Sequence, residues 1–234
     1  MEPNKKTARI AGLLYLIVVL SGLFHLLYVP GKLINWHNPV LTLQNITANE
    51  TLFRLSILAG CICYTAFLFL PLVLYKLLSP VNKTHAVAMA ALALLSVPIS
   101  FVNLLNKFAV LTLISKPEYA IAPPGLAQQV MLQLQYYSNG NLVASLFWGL
   151  WLLPFGWLVY KSGFLPKVLG VLLMAGCIGY LVNFVGELVF AGAYAKSGID
   201  SYISIPGGLG EIGTCLWLIV MGVRIKTTNF TATQ

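Results

Sequence analysis

Long apolar runs separated by short polar segments dominate the sequence. A helix needs about 20 apolar residues to cross the hydrocarbon core of a bilayer, and six runs reach that length. They cover residues 9–29, 52–75, 84–106, 139–160, 166–193 and 206–225. The pattern predicts an all-α, polytopic transmembrane helical bundle of six transmembrane helices, forming a single membrane domain over residues 1–234.

Two longer segments connect these runs on one side of the predicted bundle. In residues 125–137, apolar side chains recur at helical spacing and glutamines fall on the opposite face. This pattern is typical of an amphipathic helix lying at the outer membrane interface. A plain connecting helix that caps the bundle fits it equally well. Residues 30–51, rich in Asn and Thr, predict an irregular, lid-like connection.

The distribution of basic residues predicts the orientation of the bundle. Nine of the fourteen Lys and Arg flank the N-tail, the 76–83 turn, the 161–167 turn and the C-tail, whereas five lie on the opposite side. Segments rich in Lys and Arg stay in the cytoplasm, so both termini are predicted to be cytoplasmic, with the chain in the cell (inner or plasma) membrane. The first apolar run is too long for a signal peptide and lacks a small-residue cleavage site, which favours a retained helix.

Composition supports a lipid environment. The chain is 59% hydrophobic and 9% charged, whereas soluble domains carry about 25% charged residues. The net charge of +8 comes from basic residues scattered at the ends of apolar runs, which excludes a nucleic-acid surface. The four cysteines lie inside apolar runs without ligand partners, so we predict no metal site. Nucleotide, serine-hydrolase and zinc-protease motifs are absent from the sequence, which predicts no cofactor.

Polar side chains gather in the outer halves of the predicted helices. Charged side chains at such depth are expensive, at roughly 2.5–3.5 kcal/mol each, and are kept when they are paired, hydrated or functional. Ser96, Ser100, Asn103 and Lys107 share one helix face, as do Asn183 and Glu187. The candidate ligand-binding or proton-exchange residues are His25, Arg54, Asn103, Lys107, Asn141, Asn183, Glu187 and Glu211.

Glu187 and Glu211 have similar depths on consecutive helices, so the two carboxylates are expected to face each other or to share one cavity. Two interpretations follow. In one, a polar pocket open to the outside uses both carboxylates to exchange protons or cations. In the other, Arg54 and Lys107 neutralise Glu187 and Glu211 in a sealed network.

Helices four and five carry an aromatic stretch, FWGLWLLPFG at residues 147–156, followed by WLVYKSGFLP at 157–166. The aromatic side chains are expected to face lipid or pack the bundle rather than line a cofactor site. Together with ARIAGLLY at 8–15, Gly210-Glu211, LWL at 216–218 and Gly222, this stretch resembles the bacterial membrane family DUF4386, a domain of unknown function. The resemblance implies a multi-helix bacterial inner-membrane protein and adds no reaction or ligand.

Three functions stay open on the sequence. The first is binding or transport of a small polar or amphiphilic molecule through an outward-facing polar pocket. The second is an intramembrane enzyme that uses the two carboxylates on a lipid, which the lack of a nucleophile or metal set disfavours. The third is a non-catalytic membrane subunit that binds a protein partner. The expected partners are the lipid bilayer and a small-molecule ligand, and the oligomeric state stays open.

Overall fold

The computed structural model describes residues 4–116 and 123–223, and this part of the chain is mostly helical, without strands. Two of the helices run on into π-helical segments, Leu23–Tyr28 after α1 and Gly186–Phe190 after α8. The α-helices are α1 Lys5–Gly22, α2 Val29–Leu33, α3 Pro39–Ala48, α4 Glu50–Leu78, α5 Lys83–Ser115, α6 Pro123–Leu150, α7 Leu152–Ser162, α8 Lys167–Val185, α9 Ala191–Ser197, α10 Ile199–Ile203 and α11 Ile205–Val220.

Asparagine side chains begin three of these helices. Asn4 accepts a hydrogen bond from the N–H of Lys6, Asn38 from Leu41 and Asn82 from His85. Each bond satisfies a backbone donor that the first helical turn leaves unpaired. The caps at Asn4 and Asn82 start α1 and α5 ahead of the apolar runs that predicted them.

Five helical segments of the described chain are long and apolar enough to cross a membrane. They are Lys5–Leu33, Glu50–Leu78, Lys83–Ser115, Gly125–Ser162 and Lys167–Ser197. The molecule is therefore a multi-pass membrane protein. The last apolar helix, α11, is shorter, with 16 residues, and residues 224–225 of the predicted sixth run lie outside the described residues.

The predictions for the connecting segments need two corrections. Residues 125–137 are helical as predicted, but they are not a separate element, because they form the first half of α6, which continues into the fourth apolar run. Val130, Leu134 and Tyr137 are buried against the bundle, which explains their helical spacing. Residues 30–51 are mostly helical, since α3 begins at Pro39 directly after its Asn38 cap.

The apolar helices pack in a closed ring. Each is in contact with the next in the order α1, α4, α5, α6, α8, α11, and α11 returns to α1, while α7 packs between α5 and α8. Apolar side chains such as Leu13, Leu27, Leu58 and Val102 are exposed on the outside of the ring. In a membrane protein such a surface faces lipid.

Two apolar cores occupy the ends of the ring. The larger one lies near the 79–82 and 163–166 turns and includes Tyr15, Leu74, Trp151 and Phe155. The other lies beneath α3 and includes Leu33, Phe53 and Leu134. The cavity described next is lined in part by residues of the larger core, among them Tyr15, Phe67 and Trp151.

Candidate functional site

A cavity of about 440 Å³ lies inside the ring, between α1, α4, α6, α8 and α11. Its volume falls in the range of pockets that hold drug-sized molecules. The walls are mainly apolar, and aromatic rings make up much of them. The aromatic side chains are Tyr15, Tyr64, Phe67, Trp148, Trp151 and Tyr180.

Glu211 is the acidic residue of this cavity. Its carboxylate accepts a hydrogen bond of 3.0 Å from the hydroxyl of Tyr15, and the side chain is only partly buried, with the remaining surface facing the cavity. A carboxylate can accept about four hydrogen bonds. The Tyr15 hydroxyl supplies one. Lys, Arg and His are absent from the described residues that line the cavity, so Glu211 faces it without a counterion.

Glycines place Glu211 at this position. A Cβ on Gly176 of α8 would come within 2.6 Å of the Cα of Gly207, and one on Gly210 within 2.9 Å of the backbone of Leu173. The missing side chains let α11 and α8 approach closely. Glu211 follows Gly210 directly, so it points about 100° away from this contact and towards the cavity.

The cavity opens between α11 and the π-helical segment after α1. Leu23, Leu27 and Ile212 line it and are also 46%, 65% and 42% exposed at the surface of the ring. Because exposed apolar side chains of this bundle face lipid, the opening faces the bilayer.

A second, sealed polar group surrounds Lys107, whose side chain is 1% exposed. Its ammonium donates hydrogen bonds to the carbonyl of His25 at 3.2 Å and to the hydroxyl of Ser56 at 3.3 Å. The same nitrogen lies 4.4 Å from the centre of the Tyr137 ring, a distance typical of a cation–π contact. These neutral groups replace an ion pair: no carboxylate of the described chain pairs with Lys107.

The π-helical segment after α1 explains why the backbone carbonyl of His25 can accept a hydrogen bond from another helix. The N–H of Val29 bonds to Phe24, five residues earlier. The next residue, Pro30, has no N–H, so the carbonyl of His25 loses its donor within the helix. Lys107 of α5 supplies the missing hydrogen-bond donor. The side chain of His25 is fully buried, with Nδ1 3.4 Å from the Tyr137 hydroxyl and the ring packed edge-on against Tyr64.

Asn103 extends this group, which we call the Lys107 cluster (His25, Ser56, Asn103, Lys107, Tyr137 and Asn141). Its amide donates to the carbonyl of Tyr137 at 2.8 Å and to the side chain of Asn141 at 2.9 Å. Gly140 makes the contact possible, because a Cβ there would overlap the carboxamide of Asn103. Tyr64, which lines the cavity and contacts His25, separates the Lys107 cluster from the Glu211 cavity.

Glu187 and Asn183 lie elsewhere. Glu187 lines a smaller pocket of about 290 Å³ together with Asp200, Tyr194 and Asn139. Asn183 donates to the hydroxyl of Ser204 at 2.8 Å and accepts a hydrogen bond from the hydroxyl of Tyr194. These bonds tie the end of α8 to the short helices α9 and α10 and to the start of α11.

The structure therefore divides the sequence-predicted residues among four places. These are the Lys107 cluster, the Glu211 cavity, the region around Glu187 and Asn183, and the exposed surface at Arg54. His25, Asn103, Lys107 and Asn141 come together. The expectation that Glu187 and Glu211 share a cavity was wrong, because Glu187 lies in the π-helical segment Gly186–Phe190, whose wider turn changes the direction of its side chains.

The predicted neutralisation of these acids was also wrong. Arg54 pairs with Glu50 at 2.6 Å on the exposed surface of α4, and Lys107 contacts neutral groups. Glu187 and Glu211 thus do not form the predicted carboxylate pair for acid–base chemistry. Among the described residues, no group of three His, Cys, Asp or Glu comes close enough to hold a metal ion.

Sequence reasoning missed the tyrosines. Tyr15 positions Glu211, Tyr64 forms the wall between the two polar regions, and Tyr137 completes the Lys107 cluster. A tyrosine deep within an apolar run must find a partner for its hydroxyl, and that signal was available. The aromatic stretch at 147–156 was expected to face lipid or to pack the bundle. Two of its residues, Trp148 and Trp151, line the cavity instead.

Comparison with known proteins identifies relatives without an assigned activity. An uncharacterized protein of Archaeoglobus fulgidus is 32% identical over 81 residues, which is 35% of this chain and 45% of that relative. The match thus spans less than half the length of the relative. No solved structure matches the chain. The profile of the domain of unknown function DUF4386 matches residues 10–222, and the chain therefore belongs to the DUF4386 family.

Proposed function

We propose that this protein binds a small amphiphilic molecule in the Glu211 cavity and passes it between the bilayer and the interior of the bundle. The observation that carries the proposal is the cavity itself, about 440 Å³ of largely apolar, aromatic-walled space with one carboxylate inside. Such walls suit the apolar body of a ligand, and the carboxylate fixes its polar end. The lining is less polar than the sequence suggested, which favours an amphiphilic ligand over a purely polar one.

We also propose that α11 is a sixth membrane span and that both termini are cytoplasmic, with the chain in a bacterial inner membrane. At 1.5 Å per residue, α11 is about 24 Å long, which a bilayer accommodates by local thinning. The turns at 79–82 and 163–166 lie beside Lys76, Lys83, Lys161 and Lys167. Their positive charge supports a cytoplasmic location for this end of the ring.

The test is equilibrium binding by the purified protein in nanodiscs of zwitterionic lipid. The probes are three dansyl-labelled alkyl chains of equal length that end in a trimethylammonium, a hydroxyl or a sulfonate group. At least one probe should bind saturably to the wild type. Gly208 lines the cavity and a Cβ there meets nothing within 4 Å, so Gly208→Trp can fill the cavity and should abolish that binding.

Gly31→Trp is the matched control. A Cβ at Gly31 also meets nothing within 4 Å, and the residue does not line the cavity. Binding should therefore persist in this variant. Equal binding by Gly208→Trp and the wild type, or no saturable binding of any probe, would exclude the proposed function.

A further inference from the structure

The charge of the ligand can be inferred from the residues that surround Glu211. We propose that the cavity selects a lipophilic monovalent cation, an amine or quaternary ammonium on an apolar body, and that this cation and a proton compete for the carboxylate of Glu211. The inference rests on the proposed function and specifies its ligand class.

Charge complementarity is the first argument. Glu211 contributes one potential negative charge, and the described residues of the lining include no basic side chain to balance it. A buried carboxylate without a counterion is unfavourable in surroundings of low polarity. A proton or a cation from outside the protein must therefore balance the charge. An anionic ligand would add a second uncompensated charge and is disfavoured.

The aromatic walls are the second argument. Rings of Tyr, Trp and Phe attract an organic cation through the negative face of their π-systems, and several rings around one ammonium form a typical recognition site. Tyr15 of α1, Tyr180 of α8 and Trp151, between α6 and α7, lie around the cavity. Trp151 packs 6.3 Å from Tyr15 and 5.4 Å from Phe67, centre to centre. An organic cation in the cavity would thus lie among aromatic rings as well as beside its counterion.

A metal ion is a poorer fit. Calcium takes six to eight oxygen ligands, and magnesium keeps a shell of water. Besides Glu211, the oxygen-bearing side chains that line the cavity are Tyr15, Tyr64, Tyr180 and Ser204, and the remaining wall is apolar. A weakly hydrated organic cation loses less hydration free energy on entering such a space than a strongly hydrated inorganic ion.

Competition with protons follows from the same geometry. When the carboxyl is protonated, binding the cation releases that proton, so one positive charge replaces another. The other titratable groups around the cavity are Tyr15 on α1, Cys63 and Tyr64 on α4 and Tyr180 on α8. All of them are neutral when protonated, so none supplies a competing cation. The affinity for the cation should therefore fall as the pH falls.

The experiment compares the three dansyl probes on one protein. At pH 8 the trimethylammonium probe should bind at least tenfold more tightly than the hydroxyl or sulfonate probe. Lowering the pH to 5 should weaken the ammonium probe alone. Glu211→Gln should reduce its affinity at least tenfold and remove its pH dependence, so that its affinity approaches that of the hydroxyl probe. The pH series uses the wild-type protein and so does not depend on the folding of a variant.

The outcomes separate the two proposals. If the hydroxyl or sulfonate probe binds as tightly as the ammonium probe, or if the ammonium probe binds equally at pH 5 and pH 8, the cation inference is overturned. Amphiphile binding then stands as long as Gly208→Trp still removes it. If no probe binds saturably, both the cation inference and the proposed function fail.

Discussion

The Lys107 cluster and the Glu211 cavity both place one ionisable side chain within the membrane-spanning part of the bundle. Lys107 is 1% exposed, and a carbonyl, a hydroxyl and an aromatic face surround its ammonium. Glu211 has the hydroxyl of Tyr15 and then open space. The difference indicates that Lys107 joins helices, because its ammonium makes two hydrogen bonds and a cation–π contact within the protein. The carboxylate of Glu211 keeps capacity for a ligand.

This comparison also assigns roles to the neighbouring backbone. The π-helical segment after α1 leaves the carbonyl of His25 without a helical donor, and Lys107 fills that need from α5. Leu23 and Leu27 of the same segment line the opening of the cavity. One irregular stretch therefore contributes to both regions, with its polar backbone directed into the cluster and its apolar side chains at the opening.

The largest expected effect comes from reversing the charge at the sealed site. Lys107→Glu would place a buried carboxylate against the carbonyl of His25. Leaving a buried charge without compensation costs about 3–5 kcal/mol, so the variant should show a strongly reduced thermal midpoint or fail to accumulate. Thermal unfolding followed by size-exclusion chromatography in detergent measures the change.

Two matched variants complete this test. Lys32→Glu makes the same reversal on an exposed side chain, and its midpoint should stay near that of the wild type. Lys107→Met removes the charge while keeping an apolar side chain of similar length. It should lose less stability than Lys107→Glu and should bind the ammonium probe as the wild type does. A Lys107→Glu protein as stable as the wild type would refute a sealed, structural Lys107 cluster.

The sequence predicted the helices well because each apolar run is long and needs no partner to be recognised. It also placed Ser96, Ser100, Asn103 and Lys107 on one face, and all four are buried. Their partners were harder to predict. His25 is 82 residues from Lys107, and the contact depends on how the helices are rotated within the ring.

Three local features explain the remaining errors. The position of Glu187 was inferred from an α-helical repeat, but the residue lies in a π-helical segment. The helical start of α3 was missed even though Asn38 followed by Pro39 is a common beginning of a helix. In α6, the polar residues of 125–137 suggested an interface, whereas the helix simply extends beyond the apolar run.

A smaller effect is expected from a single methyl group in each region. Gly140→Ala would force a Cβ into the carboxamide of Asn103, and overpacking of this kind costs about 1–3 kcal/mol. Gly208→Ala makes the same change beside the cavity, where nothing lies within 4 Å. It should be neutral or gain up to about 1 kcal/mol from the better helix propensity of alanine.

The thermal unfolding midpoints of these two variants, measured side by side, test this prediction. Equal midpoints for Gly140→Ala and Gly208→Ala would show that the Lys107 cluster is no more tightly packed than the wall of the cavity. That result would remove the contrast in packing between the two regions, on which the structural role of Lys107 and the binding role of Glu211 rest.

The smallest expected effect concerns Tyr15, a positioning residue for Glu211. Tyr15→Phe keeps the ring that packs near Trp151 and removes only the hydroxyl that donates to the carboxylate. Losing one such bond is worth about 1 kcal/mol, or roughly a fivefold weaker affinity for the ammonium probe. The hydroxyl probe carries no charge for Glu211 to balance, so its affinity should change less and the selectivity between the two probes should fall. An equal loss of affinity for both probes would instead mean that Tyr15 shapes the cavity as a whole. An unchanged selectivity would show that the hydroxyl of Tyr15 does not orient Glu211 for the cation.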